Sequence, residues 1–405
     1  MRRSLCLLCR GTKKLCGLAY CPALVVKRVE ARLSPVREEK VEGSSPPSIF
    51  VGWRGYPKVS VGPATPPLVG DTAIYEAQEK WLDLTVDEVL EMRLTLIRGV
   101  SKLEVKDRSP LIYRLQELAI SSRPVEVEVK FSKPVVLKPL LDSRSPPLGP
   151  GALMERLNVV GEPKPLRAVE EAYYDTDLPA VDAVVVLYRA GVPISHIQRL
   201  FSVGALGVGR RRKLVPTRWS ITAVDDTVSK ALLREVKENP SVNEVLVFTR
   251  KYAKNLFVAI IIPGAWSFEW MEAWFPHTTW NRGNSVEIEG DWEGYKGRST
   301  YASIGGCYYS ARLATAEYLY RVRRQGAAVL FREIYEGFDV PIGVWFVREN
   351  LRRMFSSEPL RFDSLEEVLA YLDRITRLPI ALWVSKSRLL KALLSQRKIK
   401  EYIEP

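Results

Sequence analysis

Four of the five cysteines stand within sixteen residues, as Cys6-x2-Cys9-x6-Cys16-x4-Cys21. Four thiolates this close can complete a tetrahedron around Zn²⁺. The same ligand set also holds iron–sulfur clusters, so zinc is the first expectation and a cluster the second. Scattered cysteines would point to disulfides, whereas a tight group points to metal. Gly11 and Gly17 would relieve the turns, and Arg10, Lys13 and Lys14 would offset the thiolate charge. Such a module either only folds the N-terminus or adds nucleic-acid contacts through its basic residues. Nothing in it suggests an open, catalytic metal position.

A second group of reactive types lies at 202–219, Ser-Val-Gly-Ala-Leu-Gly-Val-Gly-Arg-Arg-Arg-Lys-Leu-Val-Pro-Thr-Arg-Trp. Gly204, Gly207 and Gly209 would let backbone N–H groups approach an anion. Arg210, Arg211, Arg212, Lys213 and Arg218 add charge, and arginine forks suit phosphate. Trp219 would stack a base. The glycine-to-lysine spacing is not that of a nucleotide-binding P-loop, and no strand clearly leads into the glycines. The block reads as a phosphate site, for DNA or a nucleotide, set against a solvated basic turn.

Asp225 and Asp226 follow closely. Paired acids beside a phosphate site could hold Mg²⁺ for phosphodiester cleavage. Acids in the first turn of a helix also favour its dipole and cap its end, and Thr222 with Asp225 has the spacing of a capping box. Cys307, in a Gly-Gly-Cys loop, could pair with His196 or His277, but a lone cysteine before a helix reads more simply as a small buried residue. Trp266, Trp270 and Trp274 recur every four residues and read as helix packing rather than a base-stacking face.

The chain ends Gln396-Arg-Lys-Ile399-Lys-Glu-Tyr402-Ile403-Glu-Pro. Helical spacing would aim Ile399, Tyr402 and Ile403 at one surface, with Gln396 one turn earlier. This is the spacing of a helix-in-groove peptide that docks on the sliding clamp of DNA replication and repair. Six cations between Lys386 and Lys400 precede or enter it, with no acid between those two lysines. Such charge would steer encounter with a complementary surface.

The elements that must position these residues read as follows. Helices are expected over 85–99, 222–239, 310–325 and 364–374, with a further one over 385–395 leading to the tail. Strands are expected over 49–59 (a strand and turn), 125–131, 181–188, 245–249, 256–263, 285–289, 329–334 and 343–347, with 245–249 and 256–263 forming a hairpin. Residues 32–70 and 143–151 are rich in Pro, Gly and Ser. Mixed strands and helices without strict alternation favour an α+β body of mixed sheets. A small N-terminal zinc module and a flexible C-terminal docking peptide flank it. The boundaries read 1–31 for the cysteine module, 32–150 and 151–384 for two domains, and 385–405 for the helix and tail.

The chain has 405 residues and a net charge of +13, so it can bury a substantial core and calls for an anionic partner. Ten Lys or Arg stand against three acids in residues 1–40. No apolar run is long enough to span a membrane, and the N-terminal apolar piece is too short for a signal peptide, so a cytoplasmic location is expected.

The cysteine module, the run 50–59 (Phe-Val-Gly-Trp-Arg-Gly-Tyr-Pro-Lys-Val), the block 204–226, the run 305–312 (Gly-Gly-Cys-Tyr-Tyr-Ser-Ala-Arg) and the terminal peptide together resemble the archaeal Nre family. The resemblance covers nearly the whole chain. It implies a part in DNA damage repair and docking on the archaeal sliding clamp (PCNA) through Gln396, Ile399, Tyr402 and Ile403. The peptide here ends Tyr-Ile where two aromatics are usual. The resemblance transfers no catalytic residue. A DNA-binding repair factor is therefore the leading expectation. A metal-dependent nuclease or nucleotide-processing hydrolase using Asp225 and Asp226 is the second, and RNA binding the third.

Overall fold

A computed structural model describes residues 5–11, 13, 15–16, 39–133 and 139–395. The chain divides into two compact units. One comprises Pro22–Val228 with Pro341–Phe346; the other comprises Met1–Cys21, Ser229–Val340 and Val347–Pro405. Each is built on a six-stranded mixed sheet, so the α+β expectation holds for the body.

In the first unit the strands are β1 (Lys40–Ser45), β2 (Ile49–Val51), β3 (Lys58–Thr65), β4 (Ile97–Glu104), β5 (Val125–Phe131) and β6 (Gly151–Val159). Their order is β1-β5-β6-β4-β3-β2, antiparallel except for the parallel β4–β6 pair. Thus the connector at 143–151 leads straight into a strand of the same sheet. β5 alternates buried and outward residues along its length, as its apolar–charged alternation requires. Helices at Val86–Leu94, Pro110–Ile120, Arg167–Tyr174, Ala180–Arg189 and Ile194–Ser202 accompany the sheet, and the helix Thr217–Val236 begins here.

Three expectations change in this unit. The helix expected over 85–99 has the Thr85 cap and its reciprocal Glu88 bond, but it ends at Leu94; Gly99 lies inside β4. The strand expected over 181–188 is a helix, because Ala183, Val184 and Leu187 are buried at helical spacing while Val181 and Val186 face out. Thr222 and Asp225 cap nothing: their helix starts five residues before Thr222, and Thr222 donates back to the Arg218 carbonyl one turn earlier.

The second unit pairs β7 (Val245–Tyr252), β8 (Asn255–Ile262), β9 (Ser267–Trp274), β10 (Glu287–Glu293), β11 (Ala327–Ile334) and β12 (Leu360–Phe362) in the order β10-β9-β11-β8-β7-β12. The β7–β8 hairpin is as expected, and β9–β11 is the parallel pair. The strand expected over 285–289 starts at Glu287 and runs to Glu293. The strand expected over 343–347 is instead the start of the helix Trp345–Met354. Trp270 and Trp274 lie on strand β9 rather than on a helix. Four residues bring a side chain back to the same face of either structure, so the spacing alone could not tell them apart.

Both faces of the second sheet are covered, and its buried strands carry carboxylates in the interior. The helices Leu365–Asp373, Ile380–Lys386 and Arg388–Ser395 pack over Val258, Ile260, Met271, Val329 and Phe331. Glu333 of β11, fully buried on that side, accepts from Tyr335 Oη (2.6 Å), the Arg377 and Leu378 N–H groups (2.9 and 3.0 Å) and Trp383 Nε1 (3.3 Å). Glu269 of β9 accepts from the Arg388 and Leu389 N–H groups, at 2.8 and 3.0 Å, and from Ser387 Oγ. It thereby caps the last described helix where the helix dipole favours negative charge. On the opposite face Phe268 meets Tyr308, and Phe248 meets Tyr318, both from the helix Gly306–Val322.

Removing the Glu333 carboxylate would strand four donors at once. Glu333→Ala is expected to cost about 3 kcal/mol of stability, read as a lower denaturant midpoint, while the exposed neighbour Glu336→Ala stays within about 0.5 kcal/mol. A wild-type midpoint for Glu333→Ala would show that these bonds do not hold the helices.

Candidate nucleic-acid interface

Three segments of the first unit meet at the end of the β3–β4 pair. β3 and β4 are antiparallel, with Lys58 opposite Glu104. Just beyond them the Val105 N–H donates to the Pro57 carbonyl (3.0 Å), and the Leu214 N–H donates to the Val105 carbonyl (2.8 Å). The run 50–59, the end of β4 and the block 202–219 are thereby laid side by side.

The block 202–219 is a loop closed at its base. Val215 N–H donates to the Ser202 carbonyl, and Ser202 Oγ donates to the Val215 carbonyl, both at 2.8 Å. Gly204 has φ +68°, and a Cβ there would stand 2.6 Å from the Lys213 carbonyl oxygen. Gly204 and Gly207 are buried and make the loop's tight packing; they do not present an open anion cradle. Gly209 begins a short 3-10 turn, and its N–H donates to the Thr176 carbonyl.

The basic residues of this block divide by role. Arg212 commits all three edges of its guanidinium to carbonyls, Nε to Gly207 (2.7 Å), Nη1 to Tyr173 and Nη2 to Asp175 (both 2.8 Å). Its task is to staple the loop. Arg218 is buried, 3.5 Å from Asp142 and 5.0 Å from the Trp53 ring centre. Arg210, Arg211 and Lys213 are exposed. Arg54, Lys58, Lys106 and Arg108 are exposed on the adjoining segments, and Arg108 donates to the Arg210 carbonyl at 3.2 Å. Acids stand nearby too: Glu104, Asp107 (bonded to the Ser109 N–H), and the exposed Asp175 and Asp177 on either side of Thr176, whose carbonyl takes the Gly209 N–H.

Trp219 sits in this basic strip, 39% exposed, with its ring centre 5.1 Å from that of Tyr56, itself 44% exposed. Two partly exposed rings thus stand among exposed cations; in general, rings can stack bases and cations can track the phosphates of a single strand. Sequence reasoning singled out Trp219 but missed Tyr56 and its flanking cations as site residues. The Trp-Arg-Gly-Tyr run at 53–56 was the available signal.

The remaining candidates fall elsewhere. Asp225 is fully buried and accepts from Gln198 Nε2 at 2.9 Å; Asp226 is partly exposed one position on, where the helix has turned by about 100°. His196 is buried, its Nε2 3.1 Å from the Ala119 carbonyl, and burial lowers its pKa far below the ordinary value. The Cys307 thiol donates to the Ile304 carbonyl, and burial raises its pKa to about 12, so it is the buried residue expected. His277 is exposed.

At the N-terminus, Cys6 and Cys9 lie one turn apart on the helix Leu5–Cys9, a relation that lets two thiolates face one ion. Cys16 is exposed, and Cys21 lies outside the described residues, as do Gln396, Ile399, Tyr402 and Ile403. Among the described residues no group of three or more metal-ligating side chains stands together. Arg10, expected to offset thiolate charge, instead bonds Glu272 (3.1 Å) and Glu289 of the second unit's sheet. Among the described residues no helix is long and apolar enough to cross a membrane.

Comparison with known proteins gives the family of the chain. Residues 15–281 match the family model "Archaeal Nre, N-terminal", and residues 293–402 match "Archaeal Nre, C-terminal". The chain is 49% identical over 386 residues to DNA repair protein NreB of Archaeoglobus fulgidus, covering 95% of this chain and 97% of the relative. It is 34% identical to DNA repair protein NreA of the same organism, over 91% of this chain and 93% of that one. It is 36% identical to DNA repair protein NreA of Haloferax volcanii, over 83% and 85% of the two chains. No solved structure matches. With both family models matched in chain order and relatives aligned along nearly its full length, the chain belongs to the archaeal Nre family.

Proposed function

We propose that this protein is a DNA damage repair factor that binds single-stranded nucleic acid and is tethered to the sliding clamp by its C-terminal peptide. The observation that carries the nucleic-acid reading is the Tyr56–Trp219 ring pair set among the exposed cations Arg54, Lys58, Arg108, Arg210, Arg211 and Lys213. The names of the relatives support the repair role. The net charge of +13 supports a polyanionic partner.

The clamp reading rests on the spacing of Gln396, Ile399, Tyr402 and Ile403. The helix Arg388–Ser395, capped by Glu269, ends one residue before Gln396, so the peptide leaves from a helix rooted in the second unit's sheet. Docking would raise the local concentration of the DNA-binding body at the clamp. The four cysteines would hold Zn²⁺, with Cys6 and Cys9 contributed by one helical turn; the ion would cross-link a short segment that has little core of its own.

Four measurements test this. Trp219→Ala or Tyr56→Ala should weaken single-stranded DNA binding about tenfold, in line with ~1–3 kcal/mol per stacked base. Arg210→Ala with Arg211→Ala should reduce the salt slope by about 1.4, and an unchanged slope would place the phosphates elsewhere. In clamp capture, Tyr402→Ala with Ile403→Ala should lower binding by about tenfold or more; undiminished capture removes the tail from the account. Metal analysis should return about one zinc per chain, lost in Cys6→Ser with Cys9→Ser. Iron with acid-labile sulfide would instead assign the site to a cluster.

A further inference from the structure

Strand β2 and the first turns of the helix Thr217–Val236 form part of the wall of an open cleft of about 450 Å³, solvent at its mouth included. Ile49, Phe50, Leu148 and Ile221 give it apolar walls, and Arg93, Gln198 and Arg199 give it polar edges. It adjoins the interface in the chain: Thr217 lines it and is followed by Arg218 and Trp219, while the Val51 N–H donates to Thr217 Oγ1 at 2.9 Å.

Gln198 is only 4% exposed. Its Nε2 donates to Asp225 Oδ1 at 2.9 Å and lies 3.5 Å from the Ile221 carbonyl. A carboxylate accepts and an amide NH₂ donates, so Asp225 fixes which way the amide faces. Oε1 is left, among the described residues, as a buried acceptor with no donor. Such an atom costs stability unless something donates to it.

The two arginines present the opposite need. Arg199 bonds the Ala119 and Ser121 carbonyls through Nε and Nη2. Arg93 bonds the Pro147 carbonyl through Nε, and the Tyr75 carbonyl and Glu76 through Nη1. These bonds leave Nη1 of Arg199 and Nη2 of Arg93 as donors without a partner among the described residues. The charges around them balance. Glu76 pairs with Arg93, and Glu76 and Glu79 both act on Arg199, whose pKa falls only to about 10 on burial, so it stays a cation. The cleft therefore has no excess charge to draw a phosphate. It offers one acceptor and spare donors between apolar walls, which suits the edge of a neutral planar ring.

We propose that this cleft receives the lactam edge of one unpaired nucleobase, thymine, uracil or guanine, whose ring N–H donates to Gln198 Oε1 while its carbonyl accepts from Arg93 or Arg199. Asp225 is then a positioning residue, holding the Gln198 amide in the receiving orientation. The proposal deepens the nucleic-acid reading and rests on it for delivery of a base from a strand. An extruded base of this kind is one that has lost its stacking and pairing partners, as at a lesion.

Two arms, both on the full chain, separate the cleft from the interface. In the first, thymidine and cytidine are titrated by calorimetry. Cytidine lacks the ring N–H, so thymidine should bind about tenfold or more tightly, and Gln198→Leu should abolish the preference. Equal binding, or none, overturns the cleft whatever longer DNA does. In the second, a duplex carries thymine opposite an abasic site, beside 2-aminopurine. Binding of the wild type should brighten 2-aminopurine several-fold as the thymine leaves the stack. Gln198→Leu should still bind, its affinity by anisotropy falling by no more than about the tenfold of the first arm, and lose the brightening. Binding without brightening in the wild type, or equal brightening in Gln198→Leu, overturns the proposal. Loss of DNA binding alone, with the thymidine preference intact, overturns the interface and not the cleft. Should Gln198→Leu lower the melting temperature sharply, Asp225→Asn takes its place. An amide there can present either atom to Gln198, so the thymidine preference should shrink; a full preference would remove Asp225 from its positioning role.

Discussion

A buried carboxylate must collect hydrogen-bond donors, and the second unit is arranged around that demand. A glutamate on an interior strand is costly unless every oxygen is satisfied. Glu333 draws its donors from Tyr335, from the backbone at Arg377 and Leu378, and from Trp383. Glu269 draws its own from Ser387 and the two N–H groups that follow. Both acids therefore dictate where the terminal helices land on the sheet, with an accuracy that apolar contact alone would not supply. On the other face Glu293 accepts from Arg312 at 2.9 Å, Tyr308 Oη at 3.1 Å and Trp266 Nε1 at 3.4 Å, which pins the helix Gly306–Val322 in the same way.

The register of β9 and β10 adds a second instance of the constraint. Glu272 stands directly opposite Glu289, an arrangement that repels unless a cation lies between. Arg10 supplies it, bonding both, and Arg332 supports Glu272 from β11 at 3.3 Å. The residue that follows Cys9 thus ties the cysteine-bearing segment to the sheet. The charge of this N-terminal arginine is taken up by a carboxylate pair.

The first unit resolves its cations in the opposite sense. Arg212 and Arg218 are drawn into the protein, one by carbonyls and one by Asp142 and Trp53, and their neighbours Arg210, Arg211 and Lys213 remain outside. The loop's glycines allow the close packing that keeps the two sets apart, which is a different use of glycine from the anion cradle that the motif suggested. A ring pair, a basic strip and a polar cleft then arise from one junction of β2, β3, β4 and the start of the helix Thr217–Val236.

Sequence alone carried the family resemblance, the class of fold, the basic character, the cysteine spacing and the local elements whose signals are local. The Thr85 cap, the alternation of Val125–Phe131 and the 245–262 hairpin depend on neighbours a few residues away, so they were legible. Tertiary structure alone decided what long-range partners decide. A run of valines at 181–188 became a helix because one stripe of it could be buried, and the tryptophans at 270 and 274 took a strand because a buried sheet has room for a side chain on each face. Tyr56 came to Trp219, and Gln198 to Asp225, across 163 and 27 residues of chain. Hydrogen bonds and stacking act over a few ångströms, and only the folded chain brings such residues within that range.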